Sequence, residues 1–153
     1  IGNNEFIVHA GDVAIIGSKI HPVKRLINAG KDKDVSAVLL FRKVDDPERH
    51  GVPTLEKISN KKFIVKKVVE KPKKPSSNLG LMPIYYFKPK IFEKLKKIKL
   101  GKGNEFQLTD AIQELISSGE KVLAIPLLDK EKVLDVGTVE SYMASQITSF
   151  RYV

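Results

Sequence analysis

The sequence contains no cysteine, which excludes disulfide bonds, thiolate metal sites and cysteine nucleophiles. Aromatic residues make up only 7% of the chain, too few to suggest a surface on which nucleic-acid bases stack. No apolar run approaches the roughly 18 residues that a membrane-spanning helix needs. From these absences we expect no membrane span, no secretory leader and a cytoplasmic location.

Acidic residues are also in the minority, with 18 Asp and Glu against 27 Lys and Arg, so the formal net charge is +9. A surface of this charge favours anionic partners. Nucleic acid is one such partner, but the lysines are dispersed and no nucleic-acid-binding motif accompanies them. Phosphorylated small molecules fit the charge at least as well, and binding to nucleic acid is the less expected alternative.

The 153 residues are enough for one domain with a substantial core, and their pattern predicts an α/β fold. The predicted strands are 6–10, 35–41, 52–58, 63–69, 79–87, 122–128 and 132–134, and the predicted helices are 20–30, 89–98, 107–117 and 139–147. Strands 52–58 and 63–69 should form an antiparallel hairpin. The first strand has the pattern of a buried parallel strand, which needs neighbours on both sides, so we expect further structure before it.

Two aspartates occupy similar places in this predicted fold, because Asp12 and Asp135 each follow an apolar strand and precede a polar turn. The carboxyl ends of parallel strands line the ligand crevice of α/β sheets. Two carboxylates there suit Mg²⁺, which takes one or two protein carboxylates and completes its shell with phosphate oxygens and water. The alternative is that each aspartate only caps a turn or a helix.

The acid and base Glu70 and Lys71 end another apolar run and are followed by Pro72. Because a proline lacks the backbone donor of a strand, this pair should lie at the rim of a sheet. There Glu70 can accept hydrogen bonds from sugar hydroxyls, and Lys71 can donate to phosphate. A solvated charged pair on a lysine-rich surface is the alternative, and the two aspartates favour a binding site over it.

Six short motifs stand in order along the chain and cover nearly its whole length. They are Val8–Asp12, Asp46–Val52, Val69–Pro72, Pro75–Leu79, Glu105–Ile112 and Asp135–Thr138. In their order and spacing they resemble the sugar-1-phosphate nucleotidylyltransferases, in particular the glucose-1-phosphate uridylyl- and thymidylyltransferases. The resemblance implies a partial Rossmann-like nucleotidyltransferase fold of the α/β class, with a mixed, mostly parallel sheet and an inserted β-hairpin.

The resemblance also implies a reaction. In that family a sugar-phosphate oxygen attacks the nucleotide α-phosphorus in line and pyrophosphate leaves, without a covalent intermediate on the enzyme. For this chain it implies Mg²⁺-dependent transfer of a nucleotidyl group from UTP or dTTP to glucose-1-phosphate. Catalysis would then consist of positioning and of charge neutralisation by Mg²⁺ and lysines.

Roles for individual residues follow from the same resemblance. Asp12 and Asp135 match the aspartates that hold Mg²⁺ between the sugar phosphate and the nucleotide, and Lys71 matches the base on the sugar's phosphate. These three are therefore the implied catalytic residues. The implied substrate-binding residues contact the sugar or line its pocket: Gly51, Glu70, Lys71, Asn78 and Glu105.

The chain departs from the family at the nucleotide-binding motif, because no Gly-x-Gly-Thr-Arg occurs anywhere in it. The resemblance therefore implies a single unit, residues 1–153, that carries the sugar-phosphate and metal half of the catalytic domain. Its expected partners are a sugar-1-phosphate, a nucleoside triphosphate, and either the missing nucleotide-binding half or a second copy of the chain. The alternative is a non-catalytic domain that binds sugar phosphate or docks on a nucleotide-binding partner. His50 and Pro83 are smaller departures, at places where an aromatic residue and a glycine are usual.

Overall fold

The computed structural model describes residues 1–152, which form two sheets and four helices. The strands are β1 Phe6–His9, β2 Val13–Ile16, β3 Val35–Lys43, β4 Gly51–Ser59, β5 Lys62–Glu70, β6 Leu79–Phe87, β7 Lys121–Pro126 and β8 Lys132–Asp135. The helices are α1 Pro22–Gly30, α2 Ile91–Leu95, α3 Leu108–Ser117 and α4 Val139–Phe150. Six strands form one sheet in the order β1-β6-β3-β7-β5-β4, and β2 and β8 form a separate two-stranded ribbon.

The strand β3 is the centre of the larger sheet, and its side chains are buried from Val35 to Phe41. Alternate side chains of a strand point to opposite faces, so β3 contributes to two apolar cores. On one face Leu39 packs with α2 and α3, and on the other Leu40 packs with α1 and the ribbon strand β2. Helices therefore cover both faces of the sheet, which explains why the sequence of β3 is apolar without alternation.

The α/β fold with a mixed sheet and an inserted hairpin is confirmed, but the direction of most strand pairings is not as expected. Of the pairings in the larger sheet, β3–β7 is parallel, and β1–β6, β3–β6, β4–β5 and β5–β7 are antiparallel. The expectation of a mostly parallel sheet is therefore corrected. An unbroken apolar run reports burial on both faces, and it carries no information on the direction of the neighbouring strands.

The first strands also differ from their prediction. Within the described residues β1 pairs with β6 alone, at the edge of the sheet, so it is half-buried rather than enclosed by two neighbours. β2 begins directly after Asp12, so that residue lies in a turn between two strands and does not precede a polar turn. A strand of four residues, Val13–Ile16, is too short to give a clear periodic pattern.

The predicted hairpin and the predicted helices are present. β4 and β5 pair antiparallel, with Gly51 opposite Glu70 at the open end of the hairpin. α2 is shorter than the predicted 89–98, since it covers only Ile91–Leu95. Among residues 1–152, no helix combines the length and the apolar character that crossing a membrane requires.

Gly30 ends α1 against the ring of Tyr86, whose hydroxyl donates to the Gly30 carbonyl at 3.2 Å. A Cβ at this position would overlap that ring, which is 1% exposed. We predict that Gly30→Ala lowers the free energy of unfolding by about 1–3 kcal/mol in urea denaturation. Gly11→Ala is the control, because nothing lies within 4 Å of its added Cβ. An equal loss in both variants would contradict this packing explanation.

Candidate active site

A cleft of about 420 Å³ lies between the β2–β8 ribbon and the open end of the β4–β5 hairpin. Its floor includes the middle of β6. Five of the residues predicted from the sequence line it: Asp12, Gly51, Glu70, Lys71 and Asp135. These residues are far apart in the sequence, and they meet because each lies at the end of a strand or in the turn next to one.

Asp12 and Asp135 lie side by side at one end of the ribbon. Val13 pairs with Asp135, and the Val136 amide donates to the Asp12 carbonyl at 2.9 Å. An ideal Cβ built on Gly137 would lie 3.3 Å from Asp135 Oδ1 and 3.5 Å from Asp12 Oδ2. The two carboxylate oxygens are therefore less than 7 Å apart and flank the same glycine.

The Asp135 carboxylate is oriented by the turn that follows it. Its Oδ1 accepts from the Gly137 amide at 2.8 Å and from Ser141 Oγ at 3.0 Å. Ser145 Oγ of α4 donates to the Asp135 backbone carbonyl at 2.8 Å. Both side-chain hydrogen bonds use the same oxygen, so the carboxylate keeps capacity for a further ligand.

The pair of aspartates fits Mg²⁺ both by its chemistry and by the space beside it. Mg²⁺ binds one or two protein carboxylates and keeps several water or phosphate ligands. Gly137 leaves open the space next to the two carboxylates that a side chain would occupy. Within residues 1–152 no group of three or more His, Asp or Glu side chains is arranged to hold a metal ion, so the remaining ligands would be water or phosphate oxygens.

Glu70 lies on the hairpin side of the cleft, where β5 ends. Its Oε2 accepts a hydrogen bond of 2.6 Å from Oγ1 of Thr109, a buried residue in the first turn of α3. A Cβ on Gly51 would lie 2.8 Å from the Thr109 methyl group and 3.3 Å from Glu70 Oε2. Glycine at position 51 therefore keeps this carboxylate accessible from the β4 backbone.

The backbone of Lys71 has a φ of 40°, in the left-handed region that residues with a side chain rarely adopt. Its amide donates to the His50 carbonyl at 2.9 Å, which ties the end of β5 to the residue before β4. Lys71 Nζ lies 3.7 Å from Glu70 Oε1. Backbone strain of this kind costs about 1–3 kcal/mol and persists only where the surrounding structure holds it.

The other two predicted residues lie outside the wall of the cleft. Asn78 is exposed, and its backbone carbonyl accepts from the Val44 amide at 2.9 Å. Glu105 is also exposed, and its Oε2 accepts from Gln107 Nε2 at 3.3 Å. The structure does not bring either side chain to the lining of the cleft, and their substrate roles stay predictions.

The cleft is also lined by polar residues that the sequence does not predict as site residues: Arg42, Arg49, Tyr85 and Thr109. Thr109 belongs to one of the six motifs, but its contact with Glu70 becomes visible only in the fold. Burial, and to a smaller extent the charge of Glu70, raises the pKa of the Tyr85 hydroxyl above its ordinary value. Tyr85 is therefore a neutral hydrogen-bonding group at physiological pH.

Comparison with known proteins identifies the family to which this chain belongs. The profile of the nucleotidyl transferase family matches residues 1–149. UTP–glucose-1-phosphate uridylyltransferase 1 of Staphylococcus saprophyticus is 32% identical, over 98% of this chain and 56% of its own length. The UTP–glucose-1-phosphate uridylyltransferase of Staphylococcus haemolyticus is 38% identical, over 76% of this chain and 41% of its own. A crystal structure of UDP-glucose pyrophosphorylase complexed with UDP-glucose has a TM-score of 0.90 at 27% identity, over 100% of this chain and 59% of that one.

The chain therefore belongs to the nucleotidyl transferase family. Within that family it is related to the sugar-1-phosphate nucleotidyltransferases. The resemblance inferred from the six motifs is therefore confirmed. The chain spans about half the length of the curated relatives it matches.

Asp110 gives a test of the electrostatics beside Glu70. Partial burial, and then the nearby Glu70 carboxylate, raises the pKa of Asp110 from its ordinary value of 3.8. The folded protein thus holds this proton more tightly than the unfolded chain, so this contribution to stability falls as the pH rises from 3.8 through the folded pKa.

We predict that a carboxyl ¹³C NMR titration places the pKa of Asp110 above 3.8. In Glu70→Gln this pKa should fall only part of the way back, because burial is the larger cause. An Asp110 pKa that does not change in Glu70→Gln would show that the two carboxylates are not coupled.

Proposed function

We propose that this chain provides the sugar-phosphate and metal-binding part of an enzyme that transfers a nucleotidyl group from UTP or dTTP to glucose-1-phosphate. The observation that carries this proposal is the meeting of Asp12 and Asp135 with Gly51, Glu70 and Lys71 around one cleft of about 420 Å³. Ligand sites of small molecules commonly have volumes of roughly 300–1,000 Å³. The uridylyltransferases that the chain resembles are named for the same acceptor.

The hairpin side of the cleft would bind the acceptor. Glu70 would accept hydrogen bonds from sugar hydroxyls. The Thr109 hydroxyl donates to Glu70 Oε2 at 2.6 Å and so fixes the orientation of this carboxylate. Gly51 lets the sugar approach the β4 backbone, since a side chain there would meet Thr109. Lys71 donates to the phosphate and holds the attacking oxygen in place, which lowers the entropic part of the barrier.

The ribbon side of the cleft would hold the cofactor. When bound by Asp12 and Asp135, Mg²⁺ supplies charge neutralisation for the reacting phosphates. Hydrogen bonds from Gly137 and Ser141 orient the Asp135 carboxylate before a cation binds. Cation binding would therefore cost less conformational entropy in this side chain. Nucleotidyl transfer by in-line displacement needs no nucleophile from the protein, and none of the described residues that line this cleft is a serine or a cysteine.

The nucleotide would be bound by residues outside this sequence. The chain contains no Gly-x-Gly-Thr-Arg, and its match to the relatives covers about half their length. A further segment or a second chain would therefore supply the nucleotide-binding part. The alternative is a non-catalytic domain that binds sugar phosphate or docks on a nucleotide-binding partner, and measurements of binding and of turnover distinguish the two.

Binding of glucose-1-phosphate is the first test. In ¹H–¹⁵N NMR spectra with Mg²⁺ present, this ligand should shift the amide signals of Gly51, Glu70 and Lys71. Lys71→Gln should weaken binding about tenfold, because a hydrogen bond to a charged group is lost. Lys67→Gln is the matched control, since Lys67 is an exposed lysine on β5, the strand that Lys71 follows, and lies outside the cleft. Binding that Lys71→Gln leaves unchanged would argue against the acceptor site.

Formation of UDP-glucose separates catalysis from binding. We expect turnover from UTP and glucose-1-phosphate when this chain replaces the corresponding residues of the Staphylococcus saprophyticus relative. Asp12→Asn or Asp135→Asn should then lower turnover by about 100-fold, and asparagine at position 135 keeps the oxygen that accepts from Gly137. Binding of glucose-1-phosphate without turnover in this chimera would support the non-catalytic alternative.

Thr109→Val tests the support of Glu70. Valine keeps the shape of threonine and removes the donor to Glu70, so glucose-1-phosphate should bind about fivefold more weakly, equivalent to about 1 kcal/mol. Thr109→Ser retains the donor and should bind as the wild type does. Inorganic phosphate should bind equally to all three proteins, because it engages Lys71 and not Glu70. An equal loss for both ligands in Thr109→Val would instead indicate general damage to the cleft.

A further inference from the structure

An ion pair between the buried Glu131 and the half-buried Arg25 lies at the end of the β2–β8 ribbon opposite to the two aspartates. Glu131 directly precedes β8, and its side chain is 1% exposed. One guanidinium nitrogen of Arg25, on α1, donates to both Glu131 oxygens at 2.7 and 2.6 Å. The other terminal nitrogen donates to the Pro126 carbonyl at 3.2 Å. Charge-assisted hydrogen bonds of this kind fix the direction of a contact as well as its distance.

The same carboxylate connects the two strands of the ribbon. Glu131 Oε1 accepts from Ser18 Oγ at 2.6 Å, and Oε2 accepts from the Leu128 amide at 2.7 Å. Ser18 follows β2, and Leu128 lies between β7 and β8. The backbone at Gly17 lies close to the backbone at Lys130, as a Cβ on Gly17 would be only 2.5 Å from the Lys130 carbonyl oxygen. Glu131 therefore joins β2, β8 and α1 in one buried cluster.

The placement of the ribbon depends on contacts of this kind. Among the described strands, β2 and β8 pair with each other and not with the six-stranded sheet. Ile15 and Val133 pack in the same apolar core as α1, but apolar packing is not directional. With four residues, each strand is roughly 13 Å long, so a tilt at Glu131 moves the aspartates at the far end.

We propose that the Arg25–Glu131 pair is a positioning element for Asp12 and Asp135, and that it thereby sets the affinity of the cleft for a divalent cation. This inference rests on the metal role given to the two aspartates in the proposed function. Neither Arg25 nor Glu131 lines the cleft, so the pair acts through the ribbon and not by contact with a ligand. Both residues lie outside the six motifs of the sequence.

A double substitution separates positioning from stability. Removing one partner leaves an uncompensated buried charge, which destabilises a fold, whereas replacing both by apolar residues of similar volume is often neutral or stabilising. Arg25→Met combined with Glu131→Leu therefore removes the ion pair and keeps the apolar volume. The Ser18 hydroxyl and the Leu128 amide also lose their acceptor, but both residues are half-buried and within reach of water. The control is Glu56→Gln combined with Lys66→Gln, which removes an exposed ion pair of 2.7 Å on the hairpin.

Mn²⁺ is the probe, because it broadens the NMR signals of amides close to its site. In the wild-type protein and in the control we expect broadening centred on Asp12, Asp135 and Gly137. In the apolar double variant we expect the Mn²⁺ concentration for half-maximal broadening to rise about tenfold, while Tm stays within a few degrees of the wild-type value. The amide shifts of α3, which packs on the other face of the sheet, should not change.

A Mn²⁺ titration that is unchanged in the folded double variant would overturn the inference. If the wild-type protein shows no broadening at Asp12 and Asp135, the metal role itself fails, so the two failures are distinguishable. Should the double variant not fold, Arg25→Lys provides the comparison, because it keeps the charge and loses one of the donors. It should raise the half-maximal Mn²⁺ concentration by a smaller factor, and an unchanged value there would equally overturn the inference.

Discussion

Burial of β3 on both faces is the constraint on which the rest of the structure depends. Its alternate side chains contribute to two apolar cores, one beneath α2 and α3 and the other beneath α1 and the ribbon. Since interiors of this kind are closely packed, β6 and β7 cannot shift relative to β3 without opening a cavity. β5 and β4 continue the sheet from β7, so the ends of these two strands, where Glu70 and Gly51 of the cleft lie, are held in place by the same packing.

The cleft brings together two parts that are attached to this core in different ways. Gly51, Glu70 and Lys71 belong to the six-stranded sheet, where the backbone ladder continues from β7 through β5 to β4. Asp12 and Asp135 belong to the ribbon, which packs on the sheet by side chains. The hairpin side of the cleft is thus held by a continuous hydrogen-bond network, and the ribbon side is held by a few specific side-chain contacts. Its geometry is accordingly the more sensitive to substitution.

Much of this architecture can be predicted from the sequence. The apolar runs and their proline and glycine boundaries place most strands and helices, and the six motifs place five residues of the cleft. These features are local, so a single sequence contains the information. The direction of β6 beside β3 is not local, because it depends on which edge of the sheet the chain returns to. Burial of the run 79–87 is the same for either direction.

Contacts between distant residues account for what the sequence could not provide. Nothing in the motif around Thr109 indicates that its hydroxyl reaches Glu70, which lies on another strand. Glu131 is one acid among many in the sequence, and its burial against Arg25 follows only from the packing of α1. Asn78 and Glu105 show the converse, since they lie in well-matched motifs and yet stand outside the lining of the cleft. A motif shows that a segment is near a site, and the fold decides which of its side chains enters.

The charges of the cleft differ from those of the chain as a whole, and they bear on the proposal that a phosphate and a cation bind there together. The whole chain has a formal charge of +9, but the cleft itself is balanced, with Asp12, Glu70 and Asp135 against Arg42, Arg49 and Lys71. The excess positive charge lies elsewhere and attracts anions over a distance of about a Debye length, roughly 8 Å at physiological ionic strength.

A phosphate monoester carries a charge of about −1.5 to −2 at neutral pH, and it would leave this balanced cleft negative on entry. A divalent cation beside the two aspartates would restore the balance, so in the proposed function binding of the phosphate and binding of the cation would favour each other. A nucleic-acid surface works differently, because its cationic side chains outnumber the acids at the contact and neutralise phosphates directly. The arrangement of charge in this cleft therefore supports the proposed metal-assisted phosphate site over a nucleic-acid surface.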